Sequence, residues 1–116
     1  MKKNKKKSKK RKIGAKVKRP KKVKLFGYEV EVSWEKSSHY SDAKASGRWY
    51  GDYRFIWVDG SKPHGAGQRL VHELVHEISG RMALDLSENQ TEALATGFTE
   101  LIRLNPGVIK FIEKSG

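Results

Sequence analysis

Residues 70–78 read Leu70-Val71-His72-Glu73-Leu74-Val75-His76-Glu77-Ile78. Leu70, Val71, Leu74, Val75 and Ile78 recur at helical spacing, which predicts a helix with one apolar stripe. On that helix His72 and His76 lie one turn apart at the edge of the stripe, so both imidazoles can reach one metal ion. Glu73 follows the first histidine and is placed to take a proton from water at that metal. Gly80 is the expected C-terminal stop.

A catalytic metal needs a third protein ligand, and the chain narrows the choice. It has no cysteine and no histidine after His76, and His39 and His64 lie upstream in polar, turn-like sequence. The choice left is a carboxylate, giving a His₂Glu set with a position open to water. Ser87-Glu88-Asn89-Gln90 starts a second helix, with Ser87 as N-cap and Gln90 completing a capping box. Leu94, Ala95, Phe98, Leu101 and Ile102 form its expected buried stripe. Glu92, one turn in and on the flank of that stripe, is the expected ligand. Glu88 is the alternative, in the first turn, where an acid can simply answer the helix dipole.

HExxH on one helix with a glutamate on the next resembles the gluzincin pattern. The close likeness is to small phage and bacterial proteins related to the ImmA/IrrE metallopeptidases. Residues 23–32, 70–78 and 88–106 carry it, as an opening β-hairpin, a metal helix, and a second helix with its stop. It covers most of residues 22–113. The resemblance implies zinc held by His72, His76 and Glu92, Glu73 as general base, and a peptide-bond substrate in a protein or peptide. It also implies a phage or bacterial origin and action on one repressor-like partner. Two positions depart from the pattern. Thermolysin-like gluzincins place an aspartate four residues after the ligand glutamate, to orient the first histidine; counted from Glu92, that position is Thr96. They also carry a later His or Tyr to stabilise the oxyanion, and neither follows His76. Tyr50, Tyr53, His64 and Arg81 are the substitutes the chain offers.

The first 24 residues carry fifteen Lys and Arg and no acid, against a formal total of +12, so the remainder stands at −3. Basicity thus belongs to an arm. Residues 1–22 are expected to be a disordered Lys/Arg-rich arm, and residues 23–116 a compact zincin-like domain. Residues 2–24 are suited to neutralising phosphate, which predicts non-specific contact with nucleic acid. With no aromatic residue in the arm, base stacking is not expected. No apolar segment follows the charges as in a signal peptide, and no stretch approaches the roughly 20 apolar residues of a membrane span. The absence of cysteine fits a reducing, cytoplasmic compartment, the host cytoplasm for a phage-encoded chain.

Val23–Leu25 and Tyr28–Ser33 alternate around Phe26-Gly27 and predict a hairpin. Residues 35–47 read as a loop. Arg48–Tyr53 and Arg54–Val58 read as one bent strand or two, with most of Trp49, Tyr50, Tyr53, Phe55 and Trp57 on the core face. Gly97 is expected to let the two ligand helices approach. Asn105-Pro106 starts a short third helix bearing Val108, Ile109, Phe111 and Ile112. The expected class is α+β, a small antiparallel sheet on two or three helices. The expected function is zinc-dependent peptide hydrolysis. The alternative is a non-catalytic nucleic-acid-binding accessory protein with a structural or vestigial metal site. Oligomeric state is left open.

Overall fold

The computed structural model describes residues 17–36, 45–62 and 64–116. Strands β1 (Lys22–Leu25), β2 (Tyr28–Ser33), β3 (Gly47–Tyr50) and β4 (Phe55–Val58) form one sheet in the order β1-β2-β4-β3. Helices α1 (Ala66–Arg81), α2 (Glu88–Leu104) and α3 (Pro106–Ser115) follow. The α+β class holds, but the sheet is mixed: β2 and β4 run parallel, while β1–β2 and β3–β4 are antiparallel. β3 causes this. It forms the outer strand and returns as β4 into the gap beside β2, a long-range pairing that no local pattern encodes.

The hairpin falls where the sequence places it. Phe26 and Gly27 both take positive φ, 52° and 83°, the pair of left-handed residues that a tight two-residue turn requires. Val30 and Val32 point into the core while Glu29 and Glu31 face outward, the period-two alternation of a half-buried strand. In β4, Ile56, Trp57 and Val58 are all buried, because this central strand is covered on both faces. Trp57 satisfies its indole by donating to the Glu35 carbonyl at 2.9 Å. A single-turn 3₁₀ helix, Gly51–Tyr53, separates β3 from β4, so Arg48–Val58 is two strands, and Tyr53 lies outside the core as an exposed residue.

α1 lies between the sheet, where it packs on β3 and β4, and α2. Leu70 and Leu74 reach the core cluster of Val30, Val32, Ile56 and Val58. Gly80 does not stop α1. The helix runs to Arg81, and Ala83 supplies the left-handed residue at φ 58°. The amide of Leu84 then returns to the Ser79 carbonyl at 2.8 Å, a Schellman-type closure. Gly80 instead makes room for Trp49, since a Cβ there would lie 2.8 Å from the indole Cη2. Gly97 plays no such part, because a Cβ there would meet nothing within 4 Å.

The Ser87 capping box is present, with Gln90 N–H donating to Ser87 Oγ and Ser87 N–H to Gln90 Oε1. The expected buried stripe of α2 is not. Only Thr91 and Ala95 are buried, while Leu94, Phe98, Leu101 and Ile102 are exposed. For Phe98, Leu101 and Ile102 the reason is length. α1 pairs with only the first part of α2, and the rest continues past it.

The domain also starts earlier than residue 23. Lys22 is already in β1, Arg19 donates to the Gly60 carbonyl at 2.8 Å, and the Pro20 carbonyl accepts from the Trp34 indole at 2.7 Å. Most of the arm, residues 1–16, and most of the 35–47 loop, residues 37–44, lie outside the described residues.

Candidate metal centre

α1 and α2 are antiparallel, and successive turns pair Gln68 with Thr96, His72 with Glu92, and His76 with Glu88. This register decides which acid reaches the histidine pair. Glu88 Oε1 lies 3.2 Å from His72 Nε2, and its Oε2 lies 3.0 Å from His76 Nε2. His72, His76 and Glu88 each offer an atom within 4.8 Å of the others, a group that could hold a metal ion. Glu92 approaches the opposite nitrogen of His72, Nδ1, at 2.7 Å. The acid offered second by sequence therefore joins the two histidines, and the acid offered first orients one of them. Counted from Glu88, the position four residues on is Glu92 itself, which faces the first histidine.

The donor chemistry fits a cation. A neutral imidazole carries one N–H, yet His72 faces a carboxylate from each nitrogen. His76 turns its own Nε2 to the same Glu88 carboxylate. Either extra protons or one shared cation must sit between these lone pairs. Burial holds the His76 pKa below its usual value, against the opposing pull of Glu88, so the neutral, ligating form is favoured. In a tetrahedral site with bonds of about 2.0–2.1 Å, ligand atoms stand roughly 3.3 Å apart, close to the two Glu88 separations. Two imidazoles and a carboxylate are a donor set that suits zinc.

Glu92 is itself held. Gln68 donates to Glu92 Oε2 at 3.2 Å and to Thr96 Oγ1 at 2.9 Å. A proton on Nδ1 facing Glu92 leaves the Nε2 lone pair of His72 turned toward Glu88, open to a cation. Thr96 anchors this chain through Gln68.

The histidine pair opens onto a cleft of about 330 Å³ between α1, the Glu88 end of α2 and β3, the edge strand of the sheet. Glu73 lines it and is almost fully buried. Burial raises its pKa, while His72 and Arg69 pull the other way. Arg69 Nη1 stands 3.4 Å from Glu73 Oε2. Arg69 fits because β3 begins with glycine; a Cβ on Gly47 would lie 2.8 Å from its side chain. Arg48 and Arg69 are the cationic residues of the cleft wall. None of the four substitutes named from sequence for the oxyanion lines it. Tyr50 and Tyr53 line another hollow, His64 a neighbouring cleft, and Arg81 binds Glu77.

Sequence reasoning missed Glu77. It is fully buried on the sheet-facing side of α1 and accepts from the Tyr28 hydroxyl, from Trp49 Nε1 at 2.6 Å and from Arg81 Nε at 2.9 Å. Burial alone would raise its pKa, but these three donors together bring it below the usual value. Trp49, so tethered, stacks on His76 with ring centroids 5.7 Å apart and planes 10° apart. Gly51 and Gly80 form the slot for its indole. The available signal was an acid four residues before Arg81, on the side of α1 that carries Leu70 and Leu74 to the sheet.

No protein-family model matches this chain, and neither does any curated protein or solved structure.

Proposed function

We propose that the chain is a zinc-dependent metallopeptidase-like hydrolase of the HExxH…E kind, acting on a peptide bond. The observation that carries this reading is the convergence of His72, His76 and Glu88 beside a buried Glu73 in an open cleft. The Glu92 contact to His72 supports it, because the acid that orients the first histidine then falls four residues after the ligand, as in the gluzincins the sequence resembles. His72 Nε2, His76 Nε2 and a Glu88 oxygen would hold the ion. When bound, zinc supplies a Lewis acid that polarises a carbonyl and lowers the pKa of water to about 7. The chain's own residues do the rest. Glu73 accepts the proton of the attacking water and passes it to the leaving amine; its raised pKa brings it closer to the range such a shuttle needs. Arg48 and Arg69 supply the positive wall for charge developing on the carbonyl oxygen, in place of the missing His or Tyr. β3, the outer strand of the sheet beside the cleft, is the edge along which an extended substrate would lie.

The test separates holding the metal from using it. Glu73→Gln is expected to keep zinc, measured by elemental analysis, while peptide hydrolysis falls by about 10²–10⁴. Equal cleavage by variant and parent would remove Glu73 as base. A parent that binds zinc but cleaves no peptide in a mixed library would favour the accessory-protein alternative.

The arm is assigned to non-specific nucleic acid, through charge alone. Because Arg19 and Pro20 are packed on the domain, the informative truncation ends at residue 16. That removes ten positive charges. Loss of most duplex-DNA binding is expected, and full-length binding should weaken with salt at a log–log slope of about −0.9 per phosphate neutralised. Fluorescence anisotropy at several salt concentrations reads both. Salt-independent binding, or equal affinity after truncation, would show that the arm is only a solubilising tail. We assign the chain to the cytoplasm of a bacterium or of a phage's host, a placement that rests on the lack of cysteine and on the resemblance. Among the described residues no helix is long and apolar enough to cross a membrane.

A further inference from the structure

α2 outruns its partner. With Gln68 paired to Thr96 and α1 starting at Ala66, the last two turns of α2 extend past the end of α1. There Phe98, Leu101, Ile102 and Leu104 are exposed. α3 continues this surface with Phe111, 71% exposed, and Ile112, 58% exposed, and buries none of its own residues. Its one substantial neighbour is α2. A ten-residue helix is marginal in water unless an apolar face is packed, since isolated helices shorter than about 12–15 residues rarely persist.

Among the described residues no other segment covers this face. The residues outside the described ones, 1–16, 37–44 and 63, contain only Met1, Ile13 and Tyr40 as large apolar side chains. We infer that the uncovered face of α2 and α3 is the interface of a homodimer, in which two such helix pairs pack together as a four-helix layer. The area agrees. Six side chains about half exposed offer on the order of 500 Å² per copy, roughly the apolar share of a standard-size interface of about 800 Å² per partner. Charge agrees as well. Glu100, Arg103, Lys110, Glu113 and Lys114 nearly balance along the two helices, so two copies meet without repulsion. This face gives a polyanion no cationic patch, unlike the arm. A two-fold interface also pairs a patch with itself, so one apolar face suffices. The inference does not depend on the metal.

The test uses the full chain, nuclease-treated and at high salt so that nucleic acid cannot bridge copies through the arm. Sedimentation velocity across the micromolar range is expected to show a dimer. Phe98→Asp and Phe111→Asp should each weaken it on the order of 30-fold, as for a hot-spot side chain. Phe111 lies outside the core, so its variant keeps the sheet and α1 folded, and the near-ultraviolet circular dichroism of the buried Trp57 guards against a folding artefact. A monomeric parent overturns the proposal, as does a dimer that both variants leave unchanged. A monomer that floats with anionic vesicles overturns it too, and gives the face to a membrane surface instead.

Discussion

Glu88→Ala is expected to abolish zinc uptake, whereas Glu92→Ala only weakens it. Glu88 is the acid between the two Nε2 atoms. Losing one of three protein ligands should forfeit about a third of the roughly 10–16 kcal/mol of a zinc site, on the order of a thousandfold in affinity. Glu92 acts through His72 Nδ1, and removing such an outer partner typically costs about 10–100-fold. Chelator competition on the two variants and the parent gives the order directly. If Glu92→Ala loses the metal and Glu88→Ala keeps it, the helix register described above does not govern the site. His76→Ala should resemble Glu88→Ala, and a parent without zinc after reconstitution would end the metal reading altogether.

The second large effect is on folding. Glu77→Ala should destabilise the protein by about 2–4 kcal/mol, the order expected when a fully buried acceptor of several hydrogen bonds is removed. Here Tyr28 and Trp49 lose their acceptor. Arg81 keeps partial access to water and adds less. Urea unfolding measures the loss, and a change below about 1 kcal/mol would show that the cluster is not a support of the fold. The pH dependence has a definite sign. The folded Glu77 pKa lies below the ordinary 4.5, so the unfolded chain binds more protons between the two values. The contribution is fully present above 4.5 and is lost as pH falls through the folded value. The gap between parent and Glu77→Gln should therefore narrow in acid.

What was legible in the sequence had a local cause. The hairpin was written in Phe26-Gly27 and its flanking alternation, the metal helix in the spacing of Leu70 to Ile78, and the start of α2 in Ser87 and Gln90. What was missed depended on how elements meet. Glu88 and Glu92 sit one turn apart on one helix, and only the antiparallel register of α1 and α2 tells them apart. Periodicity placed Phe98 and Leu101 in a buried stripe, but burial also needs a partner, and α1 does not reach along that part of α2. The parallel pairing of β2 with β4 joins strands separated by a whole further strand. Glu77 was not singled out because its three partners come from two strands and a later turn of its own helix.

The residues from His72 to Glu77 are held from three directions: His72 by α2, Glu73 and His76 in the cleft beside β3, and Glu77 by the sheet. A helix held this way has no free rotation about its axis. Turning it to relieve one side would pull a charged or ligating group off another. The imidazoles are consequently in place before any ion arrives, so little reorganisation should accompany capture. The same arrangement limits what evolution or a designer can change. Within the hexapeptide Leu74 and Val75 are the two apolar side chains, and exchanging them for others of like volume disturbs no polar side-chain partner.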